Sequence, residues 1–71
     1  MIDKDTALLI QQRSLAAVRE LTSILFEIKD TCPEEDYLIL RRSIGNTIGG
    51  IQINILEYIN KQHPEIDDLK D

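Results

Sequence analysis

His63, Glu65, Asp67 and Asp68 place an imidazole and three carboxylates within six residues of the chain. Such a group is the raw material of an acid–base pair or a divalent-cation site. The spacing, however, fits neither a calcium-binding loop nor a helical zinc motif. Pro64 also breaks the local helix that would hold these side chains on one face. Cys32 is the one cysteine, so it has no intramolecular disulfide partner. If the residues between Cys32 and His63 are helical, the two lie roughly 45 Å apart at about 1.5 Å per residue, which excludes a Cys–His nucleophile within one chain. One cysteine and one histidine also fall short of the four ligands of a structural zinc site. The sequence therefore implies a protein without metal or cofactor, and not an enzyme.

Three further clusters have chemical possibilities. Gly45, Gly49 and Gly50 are all the glycines of the chain. They do not form a phosphate-cradling loop, because no lysine follows them and no strand precedes them. Glycine inside a helix costs about 0.5–1 kcal/mol relative to alanine. Close approach of another helix to Gly45 and Gly49 would offset that cost, and a kink at Gly49–Gly50 is the alternative. Arg41 and Arg42 are the only adjacent basic pair and the candidate contact for phosphate, RNA or an acidic surface such as Glu34, Glu35 and Asp36 of another copy. A solvated or intersubunit salt-bridge role is favoured over a nucleic-acid site. Helical neighbours diverge by about 100°, so they do not make one bidentate clamp. Glu34, Glu35 and Asp36 are an acidic patch, but three acids at the start of a helix also complement its dipole.

Charge narrows the classes further. Thirteen acidic residues against 8 basic give a formal charge of −5, which argues against general binding to nucleic acid or anionic membranes. No positively charged n-region followed by an apolar h-region of about 7–15 residues opens the chain, so no secretory signal is expected. The longest apolar run is four residues, where roughly 20 are needed to span a bilayer. The expected location is the cytoplasm.

The elements that would position these residues are helical. Ala7 to Lys29 carries Ile10, Ala17, Leu21, Ile24, Leu25 and Ile28 on one face, with Ala7, Ser14 and Val18 beside them. Asp3, Asp5 and Thr6 are N-cap candidates. Asp30–Asp36 is the clearest punctuation: Pro33 suits the first turn of a helix, and Thr31 and Glu34 have capping-box spacing. Tyr37, Leu40, Ile44, Ile48, Ile51, Ile55, Tyr58 and Ile59 then continue a second helical face, which ends at His63–Pro64. Ile51–Ile55 alternates like a strand, but no second alternating segment exists to pair with it. The expected fold is all-α: an antiparallel two-helix hairpin with helix 1 at about 6–29, a turn at 30–33, helix 2 at about 34–62 and an acidic tail at 63–71, in which Ile66 and Leu69 can fold back.

Centring the turn on residues 32 and 33 pairs Ile28 with Tyr37, Leu21 with Ile44, Ala17 with Ile48, Ser14 with Ile51, Ile10 with Ile55, and Ala7 with Tyr58. Most pairs set a small residue against a large one, as facing layers require. A second apolar set then stays uncovered: Leu8, Leu15 and Phe26 on helix 1, and Leu38, Ile53 and Leu56 on helix 2, with Gly45 and Gly49 between them. A strip of this kind marks an interaction surface. A single core of this size supplies only about 3–5 kcal/mol, and self-association is the stabilising device left. The sequence thus predicts a homodimeric four-helix bundle acting as a protein–protein interaction module, adaptor or regulator. The alternative is a small RNA-binding dimer using Arg41 and Arg42 with Arg13 or Arg19. Asn46, Thr47, Asn54 and Asn60 are amide or hydroxyl groups that could set register if buried at a seam.

Overall fold

The computed structural model describes residues 1–67. Among them every element is helical: α1 spans Lys4–Ile28, α2 Glu34–Gly50, a π-helical turn Ile51–Leu56, α3 Glu57–Gln62, and a short 3-10 turn Pro64–Ile66. The two arms run antiparallel, and their far ends are tied by the Ile2 N–H donating to Gln62 Oε1 at 2.9 Å. The molecule measures 45 × 22 × 16 Å, so its thinnest dimension is little more than one helix with its side chains. Each arm is therefore covered on one side only.

Of the three cap candidates, Asp3 takes the position, with Oδ1 accepting from the Thr6 N–H at 2.7 Å. α1 accordingly starts at Lys4, ahead of the expected residue 6. At the turn, the Thr31 and Cys32 N–H groups both donate to the Ile28 carbonyl, at 3.2 and 2.9 Å. The expected Thr31–Glu34 capping box does not form. Pro33 itself occupies the N-cap position of α2 without a side-chain cap, and the Thr31 hydroxyl donates back to Ile28 at 3.5 Å. Glu34, Glu35 and Asp36 fill the first turn of α2, as the dipole favours.

The seam on α1 is Ala7, Gln11, Ser14, Val18, Leu21, Leu25 and Ile28, all buried or half-buried. Its strict 4-3 alternation is the spacing of a coiled-coil seam. Ala17 and Ile24, expected on the main face, are exposed. The seam runs instead through Gln11 and Val18, and Gln11 is held in the core by its bond to the Ile66 carbonyl.

On the second arm Tyr37, Ile44, Ile48 and Ile51 are half-buried, on the face expected of them, but Leu40 of the same expected face is 40% exposed and the Ala17–Ile48 pair fails because Ala17 is exposed. Gly45, Gly49 and Gly50 are helical without positive φ, so Ile44–Gly50 is unbroken. The register changes at the next residue. From Ile51 to Leu56 the helix winds as a π turn, and the Glu57 N–H donates to the Gln52 carbonyl five residues back. A π turn carries one extra residue, which retards everything after it by about 100°. The pairs Ile10–Ile55 and Ala7–Tyr58 are therefore wrong. Ile55 is 38% and Tyr58 58% exposed, whereas Leu56 is 9% and Ile59 3%. Placing Ile59 inside spares the Tyr58 hydroxyl the cost of desolvation.

Ala7, Ile59 and Ile66 form the centre of the core, with Ile2, Leu8 and Ile10 packed against it. This centre sits at the open end of the hairpin. Ile66 reaches it because Pro64–Ile66 folds back as one short turn. The expected fold-back of Leu69 lies outside the described residues.

Candidate functional site

The His63 cluster forms a clasp between the chain's two ends. His63 Nε2 meets the Ile2 carbonyl, and Nδ1 meets Glu65 Oε2 at 3.0 Å. With an acceptor at each nitrogen, the protonated ring satisfies both contacts as donor. The Ile2 carbonyl, and next the hydrogen bond and charge of Glu65, hold its pKa above the ordinary 6.5, and Asp3 adds a smaller push in the same direction. The hydrogen bond from His63 correspondingly lowers Glu65. In that protonated form the imidazole offers no lone pair to a substrate or an ion. Among the described residues no three or more His, Cys, Asp and Glu side chains are grouped to hold a metal. Asp67 lines a cavity on the hairpin face, and Asp68 lies outside the described residues. Cys32 is a free, half-buried thiol at the turn.

The second apolar set is divided by the structure. Phe26 is 77%, Ile53 65% and Leu38 53% exposed. Leu8 and Leu15 are half-buried, and Leu8 already packs against the core. Leu56 is a correction: the π turn carries it into the seam, so it is no longer on the outward strip. A Cβ placed on Gly45 or Gly49 would meet nothing within 4 Å, so packing within the chain requires glycine at neither position. Leu9 and Ile39 are also exposed; they lie off both apolar sets of the sequence, whereas Tyr58, expected on the main face, is exposed because of the π turn.

Two cavities open beside this strip. The larger, about 490 Å³, lies between α1 and the π turn with Leu15, Ile53 and Leu56 as its apolar walls. Gln11 and Asn60 form polar parts of its lining, and Glu57 and Asp67 are acidic. Asn60 Oδ1 is buried without a hydrogen-bond partner. Asn46, Thr47 and Asn54 are exposed, which makes Asn60 the one member of that polar set at the seam. The second cavity, about 450 Å³ and shallow, is lined by Leu38, Arg41, Arg42, Gly45 and Asn46. Arg41 and Arg42 thus border a common depression, although their backbone positions diverge. The larger cavity depends on the π turn and was not readable from residue spacing.

Among the described residues no helix is long and apolar enough to cross a membrane. No family model, curated protein or solved structure matches the chain.

Proposed function

We propose that this chain is a non-enzymatic interaction module, a helical hairpin that works as a homodimer and presents its remaining helix surface or acidic ends to a partner protein. The observation that carries this reading is an imbalance of burial. Among the described residues four apolar side chains are buried, while ten large ones stand exposed. A hairpin one helix thick has no second layer of its own to cover them, and apolar surface left in water forfeits about 25 cal/mol per Å². Packing two hairpins face to face at the shallow angle of a four-helix bundle supplies that layer. Small domains with neither disulfide nor metal commonly gain their stability this way.

Arg41 and Arg42 beside one depression are what an RNA-binding reading would rest on. The net charge of −5 opposes it, and a phosphate contact would announce itself through steep salt dependence. In the dimer the same arginines serve as charges at the edge of the interface.

Ile53→Glu separates these readings. Ile53 is 65% exposed, so the hairpin tolerates the change, while a buried charge at the interface does not. The variant should stay helical and sediment as a monomer. Equal sedimentation of variant and wild type would remove the dimer face from this strip. Salt-sensitive RNA binding abolished by Arg41→Ala with Arg42→Ala would favour the second reading.

A further inference from the structure

We propose that the open end of the hairpin is a pH-sensitive register switch. Protonated His63 holds the chain beyond Ile51 in the π register. Its deprotonation lets the same residues wind as α-helix, with Ile55 and Tyr58 in the seam in place of Leu56 and Ile59. The switch lies within one hairpin and does not depend on the homodimer proposed above.

The seam of the second arm has two possible continuations. With the π turn it runs from Ile51 to Leu56, then to Ile59 and, at the helix end, His63, with Ile66 following in the fold-back. Without the turn, ordinary four- and three-residue steps lead from Ile51 to Ile55, Tyr58 and Gln62. Each path supplies two large apolar side chains. Tyr37 already holds a half-buried seam position on this arm, so a tyrosine there is compatible with the fold. One extra residue within Ile51–Leu56 is the whole difference between the paths. The turn is bounded by ordinary helical backbone, Gly50 at φ −62°, ψ −40° and Glu57 at φ −64°, ψ −40°. Dissolving it therefore turns the following helix by about 100° without breaking it.

The contacts that belong to the π register alone lie at the end of the arm. They are the His63 ring between the Ile2 carbonyl and Glu65, and Ile66, packed on Ala7 and Ile59 with its carbonyl accepting from Gln11. Of these groups His63 is the one that changes charge near neutral pH. A neutral imidazole has one donor and one acceptor. With an oxygen acceptor facing each nitrogen, deprotonation sets a lone pair against a lone pair on one side. The charged groups acting on the ring are Glu65 from its own turn and Asp3 from the lead into α1, while Lys4 acts on Glu65.

The direction of the switch follows. The Ile2 carbonyl, and next Glu65, hold His63 above 6.5, and His63 holds Glu65 below 4.5. The clasp is intact between those values and fails as pH climbs through the higher folded value of His63. A proton biases two registers only through a difference in its affinity for each. The geometry supplies that difference, because the rotation carries the ring off the seam and away from the Ile2 carbonyl. Gln62, which already accepts from the Ile2 N–H, takes its station with no titratable group. Release also remodels the surface: Leu56 and Ile59, at 9% and 3% exposure, turn outward, and Tyr58, at 58%, turns in.

The test is nuclear magnetic resonance of the full-length protein with labelled alanine and isoleucine methyls, from about pH 5.5 to about pH 8.5. The His63 ring resonances serve as the internal titration. At the acid end the Ala7 methyl should show Overhauser contact to Ile59, its neighbour in the core. At the alkaline end that contact should be lost and replaced by one from Ala7 to the Tyr58 ring, with the midpoint of the His63 titration. Deletion of Asn54 removes the extra residue of the π turn, so this variant should keep the Ala7–Ile59 contact throughout while His63 still titrates. A wild-type Ala7–Ile59 contact that persists after His63 has lost its proton overturns the switch. Loss of both contacts overturns it too, since the open end would then unravel without adopting a second register. A deletion variant that still exchanges Ile59 for Tyr58 does the same, because the extra residue would not be the cause.

Discussion

Deleting a residue from the middle of a helix normally destroys a hairpin, because everything beyond the deletion turns by about 100°. Deletion of Asn54 should be the exception. Asn54 is exposed and lies inside the π turn Ile51–Leu56, which holds one residue more than an α-helical path between the same ends would need. Without it the segment can wind as ordinary α-helix, with Leu56 one four-residue step after Ile51. Leu56 and Ile59, at 9% and 3% exposure, then keep their places in the seam. The variant should stay within about 1 kcal/mol of wild type, the range of a surface change with local adjustment. Had the segment no residue to spare, the rotation would expel both side chains at about 1.5–3 kcal/mol each. That sum is comparable to the roughly 3–5 kcal/mol a domain of this size commands. Deletion of Ser23, exposed on α1 where no π turn can absorb the loss, is the control and should unfold the protein. Urea melts followed by far-ultraviolet circular dichroism at matched protein concentration give both numbers. An Asn54 deletion as damaging as the Ser23 deletion would refute the register assigned to α3.

Three other outcomes follow from the same geometry. Ile59→Ala should cost about 2–5 kcal/mol while Tyr58→Ala costs little, and thermal melts of the pair would reverse that order if Tyr58 faced the seam. Gln11→Leu removes the donor to the Ile66 carbonyl and should destabilise by about 1–3 kcal/mol, the penalty of a buried acceptor left unpaired; an unchanged urea midpoint would place Gln11 outside the core. His63 is raised above 6.5, so its contribution is complete below that pH and is lost as pH climbs through the higher folded value. Glu65 is lowered from 4.5, so its contribution is complete above that pH and is lost as pH falls below it. The difference in melting temperature between wild type and His63→Gln should therefore be greatest between pH 4.5 and 6.5, and a pH-independent difference would show that the clasp is not charged.

The helices were legible because three- and four-residue apolar spacing persists along both arms and because Pro33 and Pro64 mark where it must stop. Ile44, Ile48 and Ile51 fall where that spacing puts them. Beyond Ile51 the pattern becomes ambiguous: Ile53, Ile55, Leu56, Tyr58 and Ile59 supply an apolar residue for either of two registers. Only the α1 surface and the fold-back of Ile66 decide between them. Gln11 was missed for the same reason. Its amide is a core residue only because the Ile66 carbonyl, 55 positions away, needs a donor. The exposed strip was largely legible in Phe26, Leu38 and Ile53, since these depart from the seam by about one residue's rotation. The cavity that adjoins it was not, because it exists only once the π turn has drawn Leu56 inward.

Sedimentation equilibrium of the full-length chain at micromolar concentration tests the central claim most directly. A homodimer would sediment as a species of twice the 8.2 kDa chain mass that dissociates on dilution. A single 8.2 kDa species throughout the concentration series would contradict it, leaving the apolar strip without its proposed cover.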